Sequence, residues 1–260
     1  MRRGQRGGAL VEFALISFVL YLIFAGTIEL GRMIFAAQIL QDAARVAARE
    51  LAVTPTPAAI DFDGALQLPI VKAQVWDASL LVVDGSTDAT IEAGFAAMPL
   101  VNRALRPLFI TDTIPGPGGA DLPVLRYPGA LVVDAAAPLG VTVKIPKLQA
   151  GGGYAQLEVL AEVRAPGAPG PFSAAAPVAP NAIAAVVVNY PFQAASMSGF
   201  EKQPVGEPNA GFVIEAPDDT PIGTYSGENG LGAQYAFAKK VRPFRRLLTG
   251  QAFFRREVME

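Results

Sequence analysis

The stretch GGALVEFALISFVLYLIFAGTI, residues 7–28, decides the fold of this chain. Residues 13–28 carry no charge. Together with residues 9–11 they reach the roughly 20 residues that a helix needs to span the hydrocarbon core of a bilayer. We therefore predict one membrane-spanning helix at the amino terminus.

A cleaved secretory signal is the competing interpretation, because Arg2, Arg3 and Arg6 form a basic region before the apolar run. The run is longer than the apolar core of such signals, and no small-x-small cleavage motif closes it before Glu29. The sequence therefore favours an anchor. The three arginines favour a cytoplasmic amino terminus.

Glu12 is an acid near the start of this apolar stretch, where a charge costs about 2.5–3.5 kcal/mol by insertion scales. Cleavage after Gly7 would make Gly8 the new amino terminus and Glu12 the fifth residue. The carboxylate would then meet a free ammonium, its own or that of a packed neighbour. The tandem glycines also allow cleavage after Gly8, which would not place Glu12 fifth. Without cleavage, Glu12 would sit at the start of the helix, where the macrodipole favours an acid.

Helical character is predicted to continue to residue 52, because alanine dominates the segment and neither proline nor glycine follows Gly31 before Pro55. Pro55 and Pro57 then end the helix. A helix over residues 8–52 is about 65 Å long, whereas the hydrocarbon core takes about 30 Å. Its second half must therefore project from the membrane as a stalk.

The stalk presents a face of mostly small residues at three- and four-residue spacing, which suits close packing. We also expect ion or hydrogen-bonded pairs along the helix, Glu29 with Arg32 and Gln41 with Arg45. The residues of the face are Ile34, Ala37, Gln41, Ala44, Ala48 and Leu51.

The basic leader, the glycine cleavage site and a glutamate at position five together resemble the class III and type IV prepilin signature. The segments ALVEFAL (9–15), IELGR (28–32) and AAQILQDAARVAAR (36–49) sharpen this into a resemblance to the TadE-like family, the minor pilins or pseudopilins of tight-adherence (Flp-type) pili. The resemblance covers about the first fifth of the chain. A weaker similarity lies in AVVVNYPF, residues 185–192.

The resemblance implies roles for particular residues and partners. Cleavage at Gly7 or Gly8 by a prepilin peptidase would remove a leader of residues 1–7. Glu12 and Phe13 would register neighbouring subunits. Other pilin or pseudopilin subunits, an inner-membrane assembly platform and the lipid bilayer are the further partners implied, with no nucleic acid. The membrane boundary and stalk would involve Glu29, Arg32, Gln41, Arg45 and Arg49.

The composition excludes several kinds of chemistry. The 260 residues contain no histidine and no cysteine, so Ser-His-Asp hydrolysis, Cys-His catalysis and the usual histidine-based zinc sites are absent. DFDG, residues 61–64, begins like a calcium loop but lacks the later ligands of an EF-hand. We expect no catalytic residues, no metal site, no cofactor and no enzymatic activity.

Beyond Pro57 the apolar pattern changes from helical to alternating, which predicts antiparallel strands with one face in water. A helix is also predicted over residues 89–106, split or kinked at Pro99. The fold class is therefore α+β, with a β-rich body after the helix. The predicted strands are residues 71–75, 80–83, 139–145, 156–164, 186–190 and 212–214.

Charge is segregated along the chain. Residues 53–238 hold eight basic and seventeen acidic side chains, a net charge of −9, whereas residues 239–260 sum to +5. The basic carboxyl-terminal segment is predicted to dock on the body, on a partner or on anionic lipid, or to remain a solvated tail.

The sequence thus predicts four parts: a leader (1–7), a membrane and stalk helix (8–52), an extracytoplasmic β-rich domain (53–238) and a basic tail (239–260). The predicted function is that of a pilus-assembly subunit held in the membrane by a single pass. The alternative is an uncleaved, membrane-anchored domain that binds a surface, a polysaccharide or an envelope partner.

Overall fold

The computed structural model describes residues 5–57, 60–115, 121–134, 136–148, 154–164, 168, 170–172, 183–193 and 245–256. Over these residues one long amino-terminal helix is followed by short helices and by antiparallel sheets of three strands each. The predicted α+β class is confirmed.

Helix α1 spans Gln5–Val53, and its 49 residues correspond to about 73 Å. It ends where Thr54 donates its amide to the carbonyl of Glu50 and Pro55 follows. The first half exposes its large apolar side chains, whereas from Ala36 onward one face is buried. The helix therefore has a bare half and a half embedded in the body.

Four short helices follow, and the second corrects a prediction. Residues 71–75 were predicted as a strand, but they lie in and just after α3, where Pro69 starts the helix. Val71 and Val75 are buried one turn apart while Ala73 is exposed, so their spacing served a helix face. The helices are α2 Phe62–Gln67, α3 Pro69–Gln74, α4 Asp88–Ala97 and α5 Leu100–Ala104.

Helices α4 and α5 confirm the helix predicted over residues 89–106 and its interruption at Pro99. Thr87 caps α4 by accepting from the amide of Thr90, and Asp61 caps α2 by accepting from the amide of Gly64. The DFDG segment is therefore the start of a helix.

Nine strands form three antiparallel sheets in the described residues, in the orders β1-β3-β2, β4-β5-β6 and β7-β8-β9. The strands are β1 Val82–Asp84, β2 Ile110–Pro115, β3 Asp121–Arg126, β4 Ala130–Val133, β5 Val141–Leu148, β6 Tyr154–Leu157, β7 Leu160–Glu162, β8 Ile183–Gln193 and β9 Arg245–Arg255.

The strands predicted at residues 139–145 and 186–190 are confirmed as parts of β5 and β8. The strand predicted at 80–83 begins later, at Val82. The single strand predicted over 156–164 is wrong, because β6 and β7 belong to different sheets and the chain breaks between them at Val159. The strand predicted at 212–214 lies outside the described residues.

The basic carboxyl-terminal segment requires a second correction. Its residues Arg245–Arg255 form β9, which pairs with β8 along its whole length, from Gln193 opposite Arg245 to Ile183 opposite Arg255. The solvated-tail hypothesis is wrong for this strand, which docks on the body. It also packs against α1, as Gly250 meets the helix backbone at Leu40.

The main core lies between the second half of α1 and the sheets. Ala43, Ala44, Ala47 and Ala48 are fully buried there. Their small side chains let β8 and β9 approach the helix closely, so the body is built around the stalk. A smaller cluster of Val83, Phe95 and Met98 forms a separate core under α4.

Candidate functional site

The first turns of α1 carry the residues predicted for processing and subunit registration. Gly7 and Gly8 both lie within the helix, and Gly8, Glu12 and Phe13 are exposed. Gly8 and Glu12 are separated by one helical turn and therefore lie on the same face. An ammonium at residue 8 would thus stand within reach of the Glu12 carboxylate.

The half of α1 that follows is apolar and bare. Large apolar side chains from Leu10 to Phe24 keep 46–71% of their surface exposed. Among the described residues one helical stretch, Leu10–Val53, is long and apolar enough to cross a membrane, with a mean hydropathy of 2.1 in its most apolar window and none of that window buried. Its apolar side chains require a nonpolar medium that the body does not supply.

Glu29 and Arg32 form the predicted pair just past this stretch. The Arg32 guanidinium donates to both Glu29 carboxylate oxygens, at 3.1 and 3.3 Å. It also lies 5.9 Å from the centre of the Phe192 ring at the end of β8. Arg32 is therefore the point at which the body first meets the helix.

Gln41 does not pair with Arg45 as predicted, because it bonds to the backbone of β9. Its side-chain amide donates to the Gln251 carbonyl at 2.7 Å, and its side-chain oxygen accepts from the Gln251 amide at 3.4 Å. Arg45 instead approaches Asp42 at 3.6 Å, with both side chains largely exposed. Such a surface pair contributes about 0–1 kcal/mol.

Arg49 is exposed on the same helix. The predicted stalk residues are therefore not brought into one cluster. Arg32 and Gln41 contact β8 and β9, whereas Arg45 and Arg49 face away from the core.

Arg256 is a contact that sequence reasoning missed. Its Nη2 donates to the carbonyls of Thr56 and Pro57, each at 2.9 Å, and its guanidinium lies 4.7 Å from the centre of the Phe172 ring. The side chain is almost fully buried, and burial lowers the pKa of the guanidinium. The end of β9 is thereby tied to the chain leaving α1. No local pattern in the sequence signals it.

A buried row of aromatic rings joins the inner sheets to the same region. Phe95, Phe109, Tyr127 and Tyr190 meet edge to face in succession, with centroid distances of 5.2–6.0 Å. The Tyr127 hydroxyl donates to the Asn189 carbonyl at 2.9 Å. Burial raises the pKa of Tyr127 well above its ordinary value. This arrangement fixes β8 on the body.

An open cleft of about 710 Å³ lies on the body, lined by residues of both charges and by Trp76. Asp63, Asp77 and Lys72 are on its rim, and the Lys144–Glu158 ion pair closes one side. Its size lies in the range of ligand-binding pockets. The sequence did not predict it, because its walls come from segments distant in the chain.

Comparison with protein families gives one match. The family model for TadE-like protein matches residues 7–49, nearly the whole of α1. This confirms the resemblance drawn from the amino-terminal motifs. No curated protein and no solved structure matches the chain.

Proposed function

We propose that this chain is a non-catalytic minor pilin or pseudopilin subunit that takes part in assembling a tight-adherence (Flp-type) pilus or a related secretion apparatus. The observation that supports this is the coincidence of the TadE-like match, residues 7–49, with a continuous helix that is bare in its first half and embedded in its second.

The bare half of α1 would serve as the membrane anchor, with the amino terminus in the cytoplasm and the body outside. Its exposed apolar surface suits lipid before assembly and the packed helices of a fibre afterwards. The same surface can exchange one for the other, since lipid tails and apolar side chains are similarly nonpolar.

Glu12 supplies direction to that exchange. A carboxylate in the bilayer meets little competing water, so a contact with the amino-terminal ammonium of a neighbouring subunit is strong and specific. A prepilin peptidase that removes residues 1–7 would create that ammonium at Gly8. Phe13, exposed beside Glu12, would pack against the same neighbour.

The test has two parts. The intact mass and amino-terminal sequence of the membrane-extracted protein, with and without prepilin peptidase, are expected to show a peptidase-dependent start at Gly8. Glu12→Ala is then expected to insert in the membrane but to lose incorporation into pili. Glu50→Ala, on the stalk half of the same helix, is the matched control and should incorporate normally. Normal incorporation of Glu12→Ala would contradict the proposal.

An anchored binding domain is the second candidate, and the cleft of about 710 Å³ on the body favours it. In that case the chain would keep Met1 in cells that contain the peptidase. Changes at Lys72 or Asp63 on the cleft rim would then alter adhesion to a surface or polysaccharide, whereas Glu12→Ala would not.

A further inference from the structure

The base of the body is held at a defined level on the long helix. Strand β9 runs along α1 in the same direction, since Gly250 meets Leu40 and Arg256 meets Thr56. At the other end of the strand, Arg246 is paired with Phe192, whose ring lies beside Arg32. The start of β9 is therefore level with Arg32.

That level corresponds to the headgroup layer of a membrane. The uncharged run ends at Ile28, and Arg32 is four residues, about 6 Å, further along the helix. The headgroup layer on each side of a bilayer is about 5–7 Å thick. The ends of β8 and β9 are thus placed at the lipid headgroups.

The residues at this level suit such a place. Leu30, Ile34 and Phe35 remain about half exposed on α1, at 53%, 50% and 53%, although the body begins at Ala36. In water these apolar side chains would be unfavourable, whereas beside the upper acyl chains they are accommodated. The body therefore has to sit directly on the bilayer.

Positive charge gathers at the same level. Arg32 lies on α1, and Arg245 and Arg246 open β9 opposite Gln193 and Phe192. On α1 from residue 28 to 35 and on the facing ends of β8 and β9, Glu29 is the acidic residue. These three arginines are named the basic rim.

We infer that the basic rim binds anionic phospholipid headgroups and holds the body against the membrane surface. The inference rests on the membrane anchor of the proposed function and adds a lipid partner to it. Juxtamembrane arginines are attracted to anionic lipid with an effect that falls off within a Debye length. The body of an unassembled subunit would thus be docked in a fixed orientation rather than free on its stalk.

Full-length protein in lipid nanodiscs tests this. The chain has no cysteine, so Thr249→Cys, at an exposed position of β9, accepts one dye. Energy transfer to an acceptor on lipid headgroups is compared in phosphatidylcholine alone and in an equal mixture with phosphatidylglycerol. We expect more transfer in the anionic discs and a loss of the difference at high salt.

Substitution assigns the effect to the rim. Arg245→Gln with Arg246→Gln should return transfer in anionic discs to its level in neutral discs, a change of about 30-fold in the ratio of docked to free bodies for two arginines. Arg245→Lys with Arg246→Lys should keep the difference. Arg45→Gln with Arg49→Gln, the matched pair further along the stalk, should also keep it.

The outcomes separate the two proposals. Transfer that is equal in the two lipids, or a difference lost in the lysine pair as well as in the glutamine pair, overturns lipid docking alone. A chain that does not stay with the discs overturns the membrane anchor of the proposed function and, with it, the docking.

Discussion

Gly250 of β9 lies against Leu40 of α1 with no room for a side chain. A Cβ at Gly250 would overlap the Leu40 carbonyl oxygen and lie 2.7 Å from the Gln41 nitrogen. Both obstacles are helix backbone, which cannot move aside as a flexible side chain would. The contact fixes the height of β9 on the stalk.

Gly250→Ala should therefore destabilise the body. The added methyl group forces strand and helix apart, and overpacking of this kind lowers the free energy of unfolding by about 1–3 kcal/mol. Trp76, the single tryptophan and a buried one, reports unfolding by its fluorescence.

Gly31→Ala is the matched control for this change, since Gly31 lies on α1 with nothing within 4 Å of an added Cβ. It should leave the unfolding transition of the body unchanged. An unfolding transition of Gly250→Ala equal to that of the wild type would show that the strand does not approach the helix as described.

Gln41→Ala tests the second contact between stalk and strand. It removes the bond to the Gln251 carbonyl at 2.7 Å and the longer one from the Gln251 amide. We expect a loss of about 1 kcal/mol in the free energy of unfolding, as for a typical hydrogen bond. Gln38→Ala, an exposed glutamine one turn earlier, should have little effect. Equal transitions for the two variants would exclude a role for Gln41 in the joint.

The features that could be predicted from sequence are those with a local signal. The apolar run and the prolines predict α1 to within a residue of its end, and alternation predicts β5 and much of β8. These signals depend on neighbours in the chain, so no partner has to be known. Residues 71–75 show the limit, because two valines four positions apart fit either a strand or a helix.

The joint between stalk and body carries no local signal. Gln41 bonds to a residue 210 positions away, and β9 pairs with a strand more than fifty residues earlier. The arginines of the carboxyl-terminal segment read as a solvated tail because charge dominates its composition. Its strand character depends on β8, which alone supplies its hydrogen-bonding edge in the described part of the chain.

Tyr127→Phe should change the dependence of stability on pH. Burial raises the pKa of Tyr127 in the folded protein, so the folded state keeps its proton when the unfolded chain, with a pKa near 10, releases it. The contribution of Tyr127 is thus fully present below about pH 10 and is lost as the pH rises through the folded-state pKa.

The phenylalanine variant should lose about 1 kcal/mol at neutral pH, the value of the bond to Asn189, and should decline less steeply above pH 10. Denaturant unfolding at several pH values, followed by Trp76 fluorescence, measures both. Tyr190→Phe is the comparison, because burial also raises the pKa of Tyr190 while Arg32 lowers it. An equally steep alkaline decline in Tyr127→Phe would remove Tyr127 as its cause.

Arg256→Met should loosen the end of the stalk. Methionine keeps an apolar stem beside Phe172 but cannot donate to the carbonyls of Thr56 and Pro57. Hydrogen bonds from a charged donor contribute about 1.5–3 kcal/mol, and a loss of that order in the free energy of unfolding is expected.

The local result distinguishes a joint from a general stabiliser. If Arg256 ties β9 to the chain leaving α1, amide hydrogen exchange should rise in the last turn of α1 and at the end of β9. The aromatic row around Tyr127 should exchange as in the wild type. Arg255→Met, at the exposed neighbouring position, should leave the last turn of α1 unchanged. Faster exchange throughout the body in Arg256→Met would instead mean that Arg256 stabilises the whole fold, and that the stalk and body separate only when the body unfolds.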